Sequence, residues 1–534
     1  MVGLGTLASR VLGMVRDMAT AALLGMSGGG VMDAFVIAFR VPNLFRRLFG
    51  EGALTASYLP VLSAQLEKDR TLAWQLASVT MTWLAVVLVA LVALVEVLCG
   101  AAWLVWGETS GASLLAGLTA VMMPYTLFIC LAAQVAATLH ALSHFSIPAL
   151  TPTVLNVCWL LGAWVVAPRF APDRHAQAYV LAVSVLIAGV LQLGVQLPVL
   201  RRLGFRFDYN WAAGRHAIGQ VVRAMGPMIL GLAITQINTL IDSLIAWSLA
   251  ATPGGPDRIA WLGGSVRYPL EQGAAAAIYY GERLYQFPMG ILGLAVATAI
   301  FPLLSRHAAR GDRRRLGADL TLGLRLVLFL AVPAGAGLVM LAEPLARLLF
   351  ERGQFTAADT ARAARMIACY ATGVWAYCSL PVVVRGYYAM DDRITPVRIG
   401  LLVLGMNLGL NLLLIWPLAE AGLAVSTAVA AAVQVLVLVA LFSRGKSPLG
   451  WPLLAGTLAR TLLATLLMAA TGYATLWSIS PAPGLGNELA RVFLPLVVSM
   501  AAYFVVYRSL GGREIGMLLG GQESEDVSLD NRRP

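Results

Sequence analysis

The chain has 534 residues, 59% of them hydrophobic and only 12% charged, with a mean hydropathy of +0.78 and a formal net charge of +11. Soluble domains carry about a quarter charged residues, so this chain lacks the polar surface that a soluble protein of its size needs. At roughly 20 apolar residues per crossing it has room for about 14 transmembrane helices, and its basic excess sits in short loops without zinc-finger, RNP-like or Walker A spacing, which excludes nucleic acid as the partner.

In chain order the predicted spans are 5–25, 31–49, 74–103, 113–139, 151–168, 177–198, 221–249, 274–304, 319–341, 363–384, 396–416, 419–441, 454–476 and 490–510. The first apolar segment is interrupted by Arg10 and Arg16 and lacks a cleavage site, so it reads as a retained helix. Together the first two spans carry Arg10, Arg16, Arg40, Arg46 and Arg47 against Asp17 and Asp33. A charge at bilayer depth costs roughly 2.5–3.5 kcal/mol on insertion scales, so such groups face a bundle interior or a water-filled cavity. A basic cavity of this kind calls for an anion.

Asp33, Arg40 and Arg47 recur at heptad spacing, close to one helical face, and Asn43 lies within a turn of Arg40, Arg46 and Arg47. This helix therefore presents a partly paired basic stripe, and Pro42 bends it or loosens its hydrogen-bond ladder. The competing account makes these residues interfacial snorkels plus a structural Asp–Arg pair. Asp17, next to Arg16, is placed to orient it.

Further along, residues 250–273 form the longest connection on the non-cytoplasmic side, and their Pro and Gly content predicts a loop. Glu282 and Arg283 follow in IYYGERLYQFPMG; an acidic neighbour holds a guanidinium and lowers its desolvation cost, and a structural Glu–Arg pair is the alternative. Arginine's planar fork suits phosphate oxygens. His140, His144, His175, His216 and His307 fall mainly at loops or helix ends, and no nucleophile elbow or metal-ligand spacing accompanies them, so the chain does not read as an enzyme. Cys99, Cys130, Cys158, Cys369 and Cys378 lie in or near apolar runs and read as buried thiols.

Loop charge sets the orientation. The side carrying Lys68, Arg70, the arginines of 201–223 and 306–315, Arg444, Lys446 and tail residues such as Arg532 and Arg533 is the richer, so it is cytoplasmic and both termini lie there. A faint repeat joins YLPVLS, ending at Ser63, with IFPLLS, ending at Ser305; Pro148 and Pro396 stand at a similar separation. This suggests two six-helix lobes of the same orientation. The predicted organisation is thus an all-α polytopic membrane protein: a lobe at 1–200, a second at 201–445, an additional helix pair at 446–510 and a cytoplasmic polar tail at 511–534.

The segments SRVLG…RD, DAF…PNLFRRLFGEGA, GERLYQFPMGILGLAVATAIFPLLS and YYAMDDRITPVRIG resemble the MurJ/MviN family, the proposed lipid II flippases of the multidrug and oligosaccharidyl-lipid exporter group. The resemblance runs from about Leu7 to the last helix. It implies an inner-membrane transporter that moves an undecaprenyl-pyrophosphate-linked disaccharide-pentapeptide to the outer leaflet, with membrane lipids and cell-wall synthesis proteins as further partners. It matches Arg10, Arg16, Arg46 and Arg283 to cavity arginines that grip the pyrophosphate, and the last helix pair to a groove for the lipid tail. Gln286 and Ala276 depart from a carboxylate and a serine of some relatives. Asp242, Asn407, Asn411 and Thr427 match a sodium site of some relatives, but Asn411 replaces an acidic ligand, so hydrogen bonding across helices is the stronger reading; no cofactor is implied, and coupling to sodium or protons stays open. Export of another polyprenyl-pyrophosphate saccharide and a non-transporting scaffold for envelope synthesis are the rival functions.

Overall fold

A computed structural model describes residues 2–106, 111–208, 211–252, 258–261 and 264–518. Most of the expected polar tail, including Arg532 and Arg533, lies outside the described residues. The chain begins with α1 (Val2–Leu24) and α2 (Val31–Phe45), which runs on through a π-helical turn (Arg46–Gly52) into α3 (Ala53–Lys68). Next come α4 (Arg70–Trp106), α5 (Gly111–Met122), α6 (Tyr125–Ala141) and α7 (Ser146–Leu161). A π turn (Gly162–Val166) and the short α8 (Ala167–Phe170) lead to α9 (Arg174–Arg202) and α10 (Trp211–Ser248). Strands β1 (Ala250–Ala251), β2 (Arg258–Trp261), β3 (Gly264–Arg267) and β4 (Leu270–Glu271) precede α11 (Ala274–Pro288), which passes through a π turn (Met289–Gly293) into α12 (Leu294–Ala309). There follow α13 (Arg313–Met340), α14 (Ala342–Phe350), α15 (Ala357–Ala371), α16 (Val374–Ala389), α17 (Ile394–Leu418) and α18 (Glu420–Gly445). The last helices are α19 (Trp451–Ser478), α20 (Leu485–Ser509) and α21 (Glu514–Leu518).

Among the described residues, 10 helices are long and apolar enough to cross a membrane, or 11 if α15 and α16, bent by 41° at their break, form one span. The α1 and α2–α3 segments miss that test for a physical reason: any stretch of membrane length in α1 includes Arg10, Arg16 and Asp17, and α2 with its π turn holds Asp33, Arg40, Arg46 and Arg47. Large apolar side chains stay uncovered elsewhere, with Leu104 of α4 77% exposed, Leu466 of α19 67% and Val505 of α20 69%. Apolar surface on that scale is stable only against lipid.

One expectation is corrected. The 250–273 connection is not simply a loop: β2 and β3 form an antiparallel hairpin pairing Arg258 with Arg267, and β1 pairs in parallel with β4. The Pro and Gly residues that suggested a loop mark its turns instead. The helix of the second span also runs on past residue 49, through the π turn to Lys68. Pro42 lies inside α2, four residues before the π turn that begins at Arg46. Pro288 is likewise followed at once by the π turn Met289–Gly293.

The chain forms two compact units, one made of Met1–Tyr279, Leu349–Arg362 and Asn411–Glu420, the other of Tyr280–Leu348, Ala363–Leu410 and Ala421–Pro534. In the first, α1 packs on α7 and α9, while α10 packs on α2, α3 and α4. Trp159 is 1% exposed and receives Phe35 and Phe39 edge-on at 5.4 and 5.1 Å between ring centroids. The second unit is built around Ile300 and Leu304 of α12, Leu320 and Val327 of α13, Val382 and Tyr387 of α16 and Phe442 of α18. Phe329 of α13 packs with Met468 of α19 and with Tyr503 and Tyr507 of α20, which fastens the last helix pair to that core.

At the cytoplasmic-predicted end of this pair, α21 folds back. Its Glu514 is fully buried and accepts hydrogen bonds from Arg325 Nη2 (2.9 Å), Thr457 Oγ1 (2.6 Å) and Tyr507 Oη (2.5 Å). Burial alone raises a carboxyl pKa, but the bonds from Thr457, Tyr507 and Arg325 outweigh it and hold Glu514 down at about 2.

Candidate functional site

In the first unit the charges of α1 and α2 are held by specific partners. Arg16 is 8% exposed, and its guanidinium bonds Asp17 Oδ1 through Nη2 at 2.8 Å and Nε at 3.1 Å. Its Nη1 reaches Asn156 Oδ1 at 3.4 Å, and its Cζ stands 4.6 Å from the Trp159 ring centre. The orienting role expected of Asp17 is thus met, and the network goes further. Tyr279 Oη donates to the same Asp17 oxygen (2.9 Å), Trp159 Nε1 donates to Thr20 Oγ1 (2.9 Å), and Asn156 Nδ2 donates to the Ser9 carbonyl (3.0 Å). A buried guanidinium is tolerated only when its charge and its donors are satisfied together, and a planar fork over an indole ring meets both needs.

Arg46 lies on the π turn, half-buried, and its Nε donates to Asn43 Oδ1 at 3.0 Å. Asn43 therefore supports Arg46, as its spacing predicted. Arg40 donates to the Thr239 carbonyl of α10 at 2.9 Å. Arg10 is exposed near the start of α1.

Asp33 departs from the structural Asp–Arg pair of the competing account. It does not pair with Arg40. Its two oxygens accept the backbone N–H groups of Gly273 (2.7 Å) and Ala276 (2.8 Å), so it caps the N-terminus of α11 from another helix. A helix N-terminus has unsatisfied N–H groups and a positive dipole end, both matched by a carboxylate. Gly273 is at φ +91°, and a Cβ there would stand 2.9 Å from the Met26 carbonyl, so only glycine fits. Beside this cap, Arg362 bonds Glu420 Oε1 (2.8 Å), Ser27 Oγ (3.0 Å) and the Gln272 carbonyl (2.8 Å). Asp359 accepts from Ser27 Oγ and from the Thr356 N–H.

Asp242 of α10 is buried and receives Asn411 Nδ2 at 2.6 Å and Asn238 Nδ2 at 3.3 Å. Two amide donors on one carboxylate satisfy it by hydrogen bonding, whereas a sodium ion wants oxygens facing it. Thr427 Oγ1 donates to Leu423 O on its own helix (3.0 Å), and Asn407 is buried in the second unit.

In the second unit, α11 carries Glu282, buried, with Arg283 and Gln286 half-buried. Asn156, Trp159 and Tyr279 were not anticipated. A signal for Asn156 did exist, as the lone amide in the apolar run TVLNVCWLL, where polar groups rarely go unemployed.

The sequence pattern of one family, described as lipid II flippase MurJ, matches residues 20–494. A probable lipid II flippase MurJ of Vibrio cholerae is 34% identical over 444 residues, covering 80% of this chain and 78% of that protein. One from Rhizobium tropici is 30% identical, with 97% and 94% covered, and the lipid II flippase MurJ of Burkholderia cenocepacia is 33% identical, with 81% of each covered. Among solved structures, a lipid II flippase MurJ in an inward closed conformation aligns with TM-score 0.73 at 22% identity, covering 95% of this chain and 99% of that one. An inward-facing multidrug transporter of the MATE family aligns at 0.63 with 11% identity, covering 82% and 95%. These two likenesses establish the fold.

Proposed function

Since the chain belongs to the lipid II flippase MurJ family, we propose that its arginines Arg10, Arg16, Arg46 and Arg283 bind the pyrophosphate of lipid II during alternating access. The protein is a multi-pass inner-membrane transporter, not an enzyme, and it translocates the lipid-linked peptidoglycan precursor. The observation that carries the binding role is the seat of Arg46. A π turn inside a long helix is energetically poorer than α-helix and concentrates at functional sites, and this one begins with Arg46 and Arg47. Asn43 steadies the Arg46 guanidinium through its amide oxygen.

We assign two six-helix lobes plus a final pair, with α1, α2–α3 and α10 as spans and with both termini cytoplasmic. The recurrence of proline-linked π turns in α2–α3 and α11–α12 supports the repeat. Residues 308–316 then face the cytoplasm; cysteines placed there, in a chain freed of its native cysteines, stay unlabelled by an impermeant reagent in intact cells. Labelling from outside reverses the orientation.

For Arg283, charge and shape separate. Arg283→Lys keeps the charge but loses the planar fork, and is expected to weaken lipid II binding by about tenfold; Arg283→Ala weakens it further. With an analogue bearing a single phosphate, the native preference for lipid II shrinks in both variants. Arg258→Ala and Arg267→Ala on the hairpin leave that preference intact. Equal losses at all three positions for both ligands indicate diffuse attraction and remove Arg283 from the site.

A further inference from the structure

The last helix pair carries an arginine that the flippase mechanism does not use. Arg491 lies six residues into α20, half-buried, with its Nε fully enclosed and no hydrogen bond or ion pair among the described residues. Glu488 is one turn away on the same helix and forms no ion pair with it. The guanidinium is therefore held in place by packing and not by a charge.

Its depth identifies the missing anion. Helix α20 has 25 residues, about 38 Å of helix, against a hydrocarbon thickness of ~30 Å. With the excess shared between the ends, the Arg491 backbone lies roughly 5 Å inside the hydrocarbon boundary. That is within side-chain reach of the phosphate layer. Trp477 and Tyr473 of α19, 93% and 49% exposed, mark the same interface. The turn above is pinned, since Asn487 bonds the Ser480 carbonyl (3.1 Å) and the Ala482 N–H (3.2 Å). Below, Phe493 and Leu494 are 54% and 50% exposed and offer an apolar track for acyl chains. The turn at 479–484 is at the opposite end of α19 and α20 from Arg444, Lys446 and Arg508, hence on the outer side.

We propose that Arg491 forms a lipid-phosphate site at the outer end of the α19–α20 pair, gripping the phosphate through its guanidinium while the chains lie along Phe493 and Leu494. A phosphate there supplies a counter-charge for Arg491. Two lipids carry this chemistry, a resident phospholipid and the polyprenyl carrier.

The test is native mass spectrometry of the full-length protein, delipidated in detergent and titrated separately with phosphatidylglycerol and with undecaprenyl phosphate. Arg491→Gln is expected to weaken the tightest bound lipid by about tenfold, while Arg508→Gln, which removes an exposed charge at the other end of α20, leaves it unchanged. A loss for phosphatidylglycerol alone assigns the site to resident lipid, and a loss for undecaprenyl phosphate alone assigns it to the carrier. Unchanged affinity for both, or equal losses in both variants, overturns the site. Should Arg491→Gln fail to fold, Arg491→Lys supplies the comparison: a several-fold loss from removal of the bidentate fork is expected, and native affinity for both lipids refutes it.

Discussion

Arg46→Ala is expected to reduce lipid II translocation by the purified protein in vesicles by about a hundredfold or more, while its abundance in the membrane stays near normal. Truncating one partner of a desolvated charge pair costs about 2–5 kcal/mol, and each 1.4 kcal/mol is about tenfold. Arg46 is half-buried on the π turn and donates through Nε to the neutral Asn43. Arg16→Ala behaves differently. It leaves Asp17 buried beside Tyr279 with its cation gone, which costs roughly 3–5 kcal/mol of stability. The double variant Arg16→Ala with Asp17→Asn separates the two roles. If Arg16 binds substrate, the double variant regains thermal stability but not translocation. Recovery of both assigns Arg16 to the scaffold, and near-native transport by Arg46→Ala removes Arg46 from the substrate site.

Glu514→Ala unfastens α21 and lowers stability by roughly 3–5 kcal/mol, because Arg325, only 12% exposed at its side chain, is left without its carboxylate. Replacing both with apolar residues, Arg325→Met with Glu514→Leu, is expected to recover most of the loss, since no charge is then stranded. Thermal unfolding in detergent measures both. The pH dependence follows from the depressed carboxyl. With a folded pKa of about 2 against an unfolded value of 4.5, the stabilisation is complete above pH 4.5 and is lost as pH falls toward 2. The native protein should therefore lose stability relative to the double variant only as pH falls below about 4.5. A gap that already closes between pH 7 and 5 contradicts the assignment.

The positions of most helices were legible in the sequence, because apolar runs of membrane length have few alternatives. So were local pairs such as Arg16 with Asp17 and Arg46 with Asn43, whose partners are one and three residues apart. What sequence spacing concealed was every partner reached across the fold. Asp33 shares a helical face with Arg40, and the competing account gave it an arginine partner, yet its partners are backbone N–H groups at Gly273 and Ala276. Backbone donors leave no trace in residue identity. Asn156 and Trp159 were equally hidden, because an amide and an indole in an apolar helix signal a partner without naming it. The hairpin of 258–267 was obscured by the same turn residues that create it.

The π turn at Arg46–Gly52 also sets the azimuth of everything after it. A π turn fits more residues into a helical turn than an α turn does, and each residue in an α-helix advances the wheel by about 100°. The faces of α2 and α3 are consequently out of phase, and no single wheel drawn over 31–68 describes both. Were this turn to relax into regular α-helix with all its residues kept, the surplus residue would swing Tyr58 and Leu62, both fully buried, by about 100° away from the packing they now make. Tyr58 would leave Thr138, 2.9 Å from its hydroxyl, behind. The π geometry of this segment therefore holds α3 in phase with its packing, and a single-residue deletion there is better tolerated than one in the regular part of α3, because loss of the π turn absorbs it.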